Sequence, residues 1–201
     1  MTGLNPSDIA FSDSIKQVQS EKGSRDFYAR MGETQPWSSR ITPELGRFIS
    51  DQTSVFFGTA SRTGQPYIQH RGGPAGFLHI LSDRQIGFAD LAGNRQYITI
   101  GNLTENPWAF LFLIDYEHSR RIKLWGTAEV VEGDPDLMKR LVVKEQRGRP
   151  ERAILFTLEA WDINCPQYIP QRLDIARVDT MLAERDLRIH ELEAELALLK
   201  A

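Results

Sequence analysis

Two arginines stand beside glycine-containing turns in one stretch, Gln69 to Arg95, which reads QHRGGPAGFLHILSDRQIGFADLAGNR. At Arg71-Gly72-Gly73 two successive residues without Cβ let backbone N–H groups come close to a ligand, and either glycine is free to take φ > 0. At Gly93-Asn94-Arg95 a second turn precedes an expected helix. Asn94 is placed there as N-cap, unpaired amides and the positive helix end face outward, and Arg95 adds a cation. Such equipment holds an anion, a phosphate above all. Either turn alone also fits a purely structural role with solvated arginines, because glycine-marked turns are abundant; the two together favour the anion site.

These residues need a frame, and the hydrophobic pattern supplies one. Phe11, Ile15 and Val18 lie at helical spacing, and a second short helix is expected from Ser24 to Met31, sharing a face through Phe27, Tyr28 and Met31. Residues 1–41 therefore read as an amino-terminal helical cap. Thr42-Pro43-Glu44 opens a third helix with an N-cap and a proline at the first helical position, carried by Leu45, Phe48 and Ile49 to about Asp51. Strands are expected over Ser54–Ala60 and Pro66–His70, joined by the turn Arg62-Thr63-Gly64-Gln65, then over Phe77–Leu81 and Gln85–Ala89. A helix follows from about Asn94 to Glu105, before Pro107.

Trp108–Asp115 is so uniformly apolar that it reads as a central strand buried on both faces. Arg121–Val131 alternates, with Ile122, Leu124, Gly126, Ala128 and Val130 on the core side. A helix through Leu137, Leu141 and Val142 starts at Asp134-Pro135, and Ala153–Ile163 is the last strand. Six or seven strands with so few helical interruptions make an antiparallel barrel, because parallel pairs need crossovers almost everywhere. The fold class is thus mainly β with peripheral helices, an α+β chain whose barrel domain spans 42–173. From 174 to 201 the pattern changes: Ile175, Val178, Leu182, Ile189, Leu192, Leu196 and Leu199 alternate spacings of three and four if Arg185 fills the vacant place. That is either a coiled-coil helix or an amphipathic helix packed on its own domain.

A length of 201 residues with 41% hydrophobic content fits one domain with an appendage. Twenty-four basic residues against 27 acidic ones give a net charge of -3, so no global field draws nucleic acid and arginines must act locally. The single cysteine, Cys165, forms no intrachain disulfide and reads as a small buried hydrophobe. No apolar run approaches the roughly 18 residues that cross a bilayer. The start, MTGLNPSDIAFSDS, does not resemble a secretory signal, so a cytoplasmic residence is expected.

Other chemistries lack their residues. His70, His79, His118 and His190 form no HxxxH or HxH pair and there is no CxxC, so a metal centre has little support. His79 fits a structural hydrogen bond, His190 a solvated helix side, and His70 neighbours Arg71 but points to the opposite face if the period of two holds. No GxSxG, Walker loop or GxGxxG occurs.

Read in order, Gln69-His70-Arg71-Gly72-Gly73, Gly76-Phe77-Leu78, Phe88-Ala89-Asp90, Gly93-Asn94-Arg95, Gly101-Asn102-Leu103, Asn106-Pro107 and the Arg121–Gly126 strand resemble the pyridoxamine 5′-phosphate oxidase-like family of FMN proteins, over about Ser54 to Arg172. The resemblance implies a split β-barrel, a homodimer with flavin sites at the subunit interface, and an oxidoreductase that takes hydride from a small-molecule substrate or a reduced nicotinamide. It implies that Arg71 and Arg95 contact the flavin phosphate with help from Asn94 and Gln96, and that backbone at Arg71–Gly73, with Gln69 beside it, borders the isoalloxazine. Asp90 would accept from ribityl hydroxyls, and Arg121 would reach the ring from the second subunit. Gln96 stands where true oxidases often carry lysine or arginine. Those oxidases also end in a segment rich in arginine and histidine, whereas this chain ends in a heptad helix, so pyridoxamine phosphate itself is not the expected substrate. Trp161-Asp162-Ile163-Asn164-Cys165-Pro166-Gln167 resembles a closing motif of a bacterial subgroup, which implies Trp161 over the flavin and Gln167 hydrogen-bonded to it. Relatives of this barrel also use deazaflavin or haem, and for haem only His70 or His118 is placed to supply an axial ligand. A non-catalytic flavin-binding or sensing module with a partner-binding tail is the alternative class.

Overall fold

The computed structural model describes residues 5–163 and 165–200. Seven strands form one antiparallel sheet in the order β2-β1-β5-β6-β7-β4-β3, with β1 Ser54–Ala60, β2 Pro66–Gly72, β3 His79–Ile80, β4 Gln85–Leu91, β5 Trp108–Asp115, β6 Arg120–Val131 and β7 Pro150–Ile163. The two edge strands, β2 and β3, do not pair with each other, so the sheet is an open, split barrel. Helices α1 Asp13–Glu21, α2 Arg25–Thr34 and α3 Pro43–Ser50 precede the sheet; α4 Ile98–Glu105 joins β4 to β5, α5 Pro135–Leu141 joins β6 to β7, and α6 Ile175–Leu199 follows.

Alternation accounts for the core. Val55 and Phe57 of β1, Leu111 and Leu113 of β5, Ile122 and Leu124 of β6, and Ile154, Phe156 and Leu158 of β7 turn inward, where Leu45, Phe48 and Ile49 of α3 close the end. α3 starts as its residues dictate: the Thr42 hydroxyl accepts from the Leu45 N–H at 3.2 Å and Pro43 takes a first-turn position. A bulge between Trp125 and Gly126 of β6 leaves Glu159 of β7 without a register partner. A Cβ at Gly126 would run into the Thr157 carbonyl oxygen, so glycine alone lets the two strands pass there. In the amino-terminal region Phe11 packs on Trp37 at 5.3 Å, and Trp37 stacks on Trp125 of β6 at 4.8 Å with planes 19° apart.

Several expectations are corrected. Phe77 and Leu78 are buried but belong to no strand; after the turn at Gly76 (φ 87) they drop into the core, and only His79 and Ile80 pair, with Gly87 and Ile86. β5 lies centrally in the sheet, yet only Ala109, Leu111 and Leu113 are buried; Phe110 and Phe112 lie half-buried on the outer face, near Trp125 and Phe56. Cys165 is exposed, because it falls past the end of β7. Ile15, Val18 and Phe27 of the first two helices are also exposed.

The chain divides into two compact units. The first holds the described residues to Ile114 with Arg121–Cys165, and the second holds Asp115–Arg120 with the described residues from Pro166 onward. In the second unit the Gln171 amide donates to the Glu117 carbonyl at 3.1 Å and Arg172 lies over the Tyr116 ring at 4.6 Å. None of the described helices is long and apolar enough to cross a membrane.

Candidate functional site

Tyr67, Gln69 and Arg71 occupy alternate positions of β2 and so share one side. They line an open polar cleft together with Asp90 and Leu91 at the end of β4, the loop Gly93–Tyr97, the first turn of α4, and Glu151 and Arg152 at the start of β7. Six residues singled out in the sequence meet here: Gln69, Arg71, Asp90, Asn94, Arg95 and Gln96.

The floor is an ionic network. Asp90 and Arg152 are register partners on β4 and β7 and therefore project to the same side. The Asp90 carboxylate lies 2.5 Å from Nη1 of Arg71 and 3.5 Å from Nη1 of Arg152. Arg152 is further held by Glu132 at 2.9 Å and Glu151 at 3.1 Å, and its guanidinium lies 5.4 Å from the Tyr97 ring centre. Burial pushes the Asp90 carboxyl above the usual carboxylate range, while Arg71 and Arg152 pull it back. Burial likewise lowers the Arg71 guanidinium, opposed by Asp90. Nε of Arg71 is buried with no hydrogen-bond partner among the described residues, an orphaned donor at the cleft wall.

The rim is strained and cationic. Arg95 (φ 61) and Tyr97 (φ 55) both adopt left-handed backbone, which costs non-glycine residues of order 1 kcal/mol or more each. Arg95 is exposed and donates through Nε to the Tyr97 hydroxyl at 3.2 Å, a bond that raises its pKa. No carboxylate pairs with it among the described residues. α4 has no side-chain cap, so its first N–H groups open on the cleft at Ile98, Thr99 and Ile100. Gln69 is tied to this helix, since its side-chain oxygen accepts from the Thr99 hydroxyl at 2.8 Å. The cleft thus sets three arginines against two carboxylates at an uncapped helix end, which suits a polyanionic ligand.

The sequence expectation for this rim needs three corrections. Asn94 is not the N-cap of α4; its side-chain oxygen accepts from the Gln96 N–H at 3.2 Å, an Asx turn that caps its own loop, and Tyr97 takes the cap position. Neither Gly72 nor Gly73 has φ > 0. Both lie outside the cleft lining: Gly72 ends β2 opposite Ser54, and the Gly73 N–H donates to the Thr53 carbonyl at 3.1 Å. A Cβ on Gly73 would stand 2.6 Å from Cβ of Phe77, so this glycine makes room for the core.

Arg121 and Trp161 are not brought to the cleft. Trp161 pairs with Leu124 and donates through its indole N–H to the Arg40 carbonyl at 3.0 Å, while Nε of Arg121 is buried without a hydrogen-bond partner among the described residues. Gln167 lies in the second unit, exposed in a turn beside Tyr168 (φ 65). Asn164 lies outside the described residues. His70 sits 2.7 Å from the Ser54 hydroxyl, His79 lies 3.1 Å from the Leu141 carbonyl, and His118 pairs with Asp115 at 2.8 Å. No histidine lines the cleft, and among the described residues no cluster of His, Cys, Asp and Glu could hold a metal. Sequence reasoning missed Tyr67, Tyr97, Thr99 and Arg152; extending the last strand back to Pro150 would have set Arg152 against Asp90.

The profile of the family described as pyridoxamine 5′-phosphate oxidase matches residues 41–165. The chain belongs to that family. Among solved structures it is similar to HupZ from Group A Streptococcus, with 18% identity and a TM-score of 0.51 over 66% of this chain and 99% of HupZ. It also resembles an FMN-binding protein from Syntrophomonas wolfei subsp. wolfei, with 11% identity and a TM-score of 0.46 over 76% and 96% of the two chains. HutZ, a heme storage protein from Vibrio cholerae, gives 15% identity and a TM-score of 0.40 over 62% and 94%. No curated protein sequence matches the chain significantly.

Proposed function

We propose that this member of the family binds FMN in the cleft and works as an oxidoreductase, passing hydride or electrons between a reduced nicotinamide and a small-molecule substrate. The carrying observation is the meeting of Arg71, Arg95 and Arg152 with the uncapped start of α4 on one polar cleft. Bound FMN would supply the redox chemistry, and the protein would supply binding, orientation and electrostatics. Arg95 is the exposed donor for the phosphate, and Arg71, which lines the cleft with Nη1 on Asp90, adds its positive charge. Asp90 spends its oxygens on Arg71 and Arg152, so it acts by holding those guanidinium groups in place. The side-chain NH₂ of Gln69 is left to donate, because Thr99 engages its oxygen.

On this reading the working form is a homodimer in which Arg121 and Trp161 serve the flavin of the partner copy. One feature supports it, the outer apolar face of β2 and β5, where Ile68 is 68% and Trp108 55% exposed.

The test is the visible spectrum and intact-ligand mass of the purified protein, followed by anaerobic mixing with reduced nicotinamides. A flavin that bleaches in turnover time supports the enzyme, and a bound flavin that stays oxidised supports a non-catalytic module. The mass separates FMN from deazaflavin and haem. A protein purified from flavin-replete cells that neither carries nor takes up FMN sinks the proposal.

A further inference from the structure

We propose that α6 pairs with α6 of a second copy as a parallel, in-register, two-stranded coiled coil. α6 runs for 25 residues with no buried residue. Its exposed stripe follows heptads: Ile175, Leu182, Ile189 and Leu196 take the first core position, and Val178, Arg185, Leu192 and Leu199 the second. Ile189 at the first position followed by Leu192 at the second is the combination that favours two strands, and the polar Arg185 in the seam sets a specific pairing. Leu187 and Leu198 fall off this seam and stay exposed in the pair.

Charge decides the direction. The row flanking the second core position carries Asp179, Asp186 and Glu193 within the helix, while the row flanking the first carries Met181, Arg188 and Glu195. Antiparallel helices face like rows, which would set six carboxylates along one side. Parallel helices face unlike rows. Arg188 then meets Glu193 of the partner subunit, and Glu195 meets Lys200 of the partner subunit, each pair occurring twice. Asp174 opposes Asp179 of the partner subunit, but Asp174 is the N-cap, with its carboxylate already accepting from the Arg177 N–H at 2.8 Å.

Arg185 sets the register. In register, the two Arg185 side chains share one layer beside Asp186 of the partner subunit. A slip of one heptad would press each against Val178 or Leu192 of the partner subunit.

The experiment uses the full chain with Cys165→Ser, so that the exposed native thiol cannot react. Leu192→Cys in that background should cross-link to itself on mild oxidation, because a parallel in-register seam sets position 192 against its own copy. Adding Glu193→Arg should weaken the dimer about tenfold by sedimentation equilibrium, and combining it with Arg188→Glu should restore it. Failure of Leu192→Cys to cross-link overturns the proposal, whether α6 is then solitary or bound to another protein. Cross-links that form only when Leu182→Cys and Leu192→Cys chains are mixed overturn it in favour of an antiparallel pair. Because none of these residues touches the cleft, the result is independent of flavin binding.

Discussion

Arg95 and Asp90 take different places in the cleft, one on its rim and one in its floor. Arg95 stands exposed at the rim, bonded to Tyr97 with Glu151 in the same cleft, so truncating it removes a charge-assisted contact and leaves the core untouched. Arg95→Ala should weaken FMN binding about tenfold in a fluorescence titration, while the denaturation midpoint stays put. Unchanged affinity would remove Arg95 from the site. Asp90 is buried, and its pKa is raised mainly by desolvation. A carboxyl whose folded pKa is raised contributes most to stability below its unfolded value of about 4, and that contribution is lost as pH rises through the folded value. The stability of the parent chain minus that of Asp90→Asn, measured by urea denaturation, should therefore fall as pH rises from about 4 towards neutrality. A difference that grows with pH would show that pairing with Arg71 and Arg152 outweighs desolvation.

At the scale of elements, alternation made β1, β6 and β7 legible, because one face of each must be apolar for the sheet to have a core. The termini carried less information. Asn94 looks like an N-cap in sequence, but Asx turns and helix caps use the same side chain in the same local way, and only the left-handed Arg95 and Tyr97 separate them. Six of the eleven residues assigned to the site reach the cleft because neighbours on one strand or one turn inherit a common direction. Arg152 escaped because its approach to Asp90 depends on the pairing of β4 with β7, strands separated by four other elements. The bulge in β6 is another non-local feature that a single substitution can probe. Gly126→Ala should cost about 2–3 kcal/mol in urea denaturation, since its Cβ meets fixed backbone at Thr157 and the strands must part to admit it. A loss under about 0.5 kcal/mol would mean the bulge yields without strain.

The whole molecule separates its tasks. The matched family segment ends at residue 165, and the cleft lies entirely within it, whereas α6 belongs to the second unit. Removing residues 174–201 should leave the visible spectrum of bound flavin unchanged while altering sedimentation; loss of the flavin would tie α6 to the site. The amino-terminal region offers an optical consequence of its own. The Trp37 and Trp125 rings are nearly parallel at 4.8 Å, and Lys123 stands 5.0 Å from the Trp125 ring centre. Indoles so close share their excitation, so the protein should show a bisignate far-ultraviolet dichroism band that Trp37→Phe abolishes. Its amplitude would report, without any label, how firmly the leading segment is seated on the barrel wall.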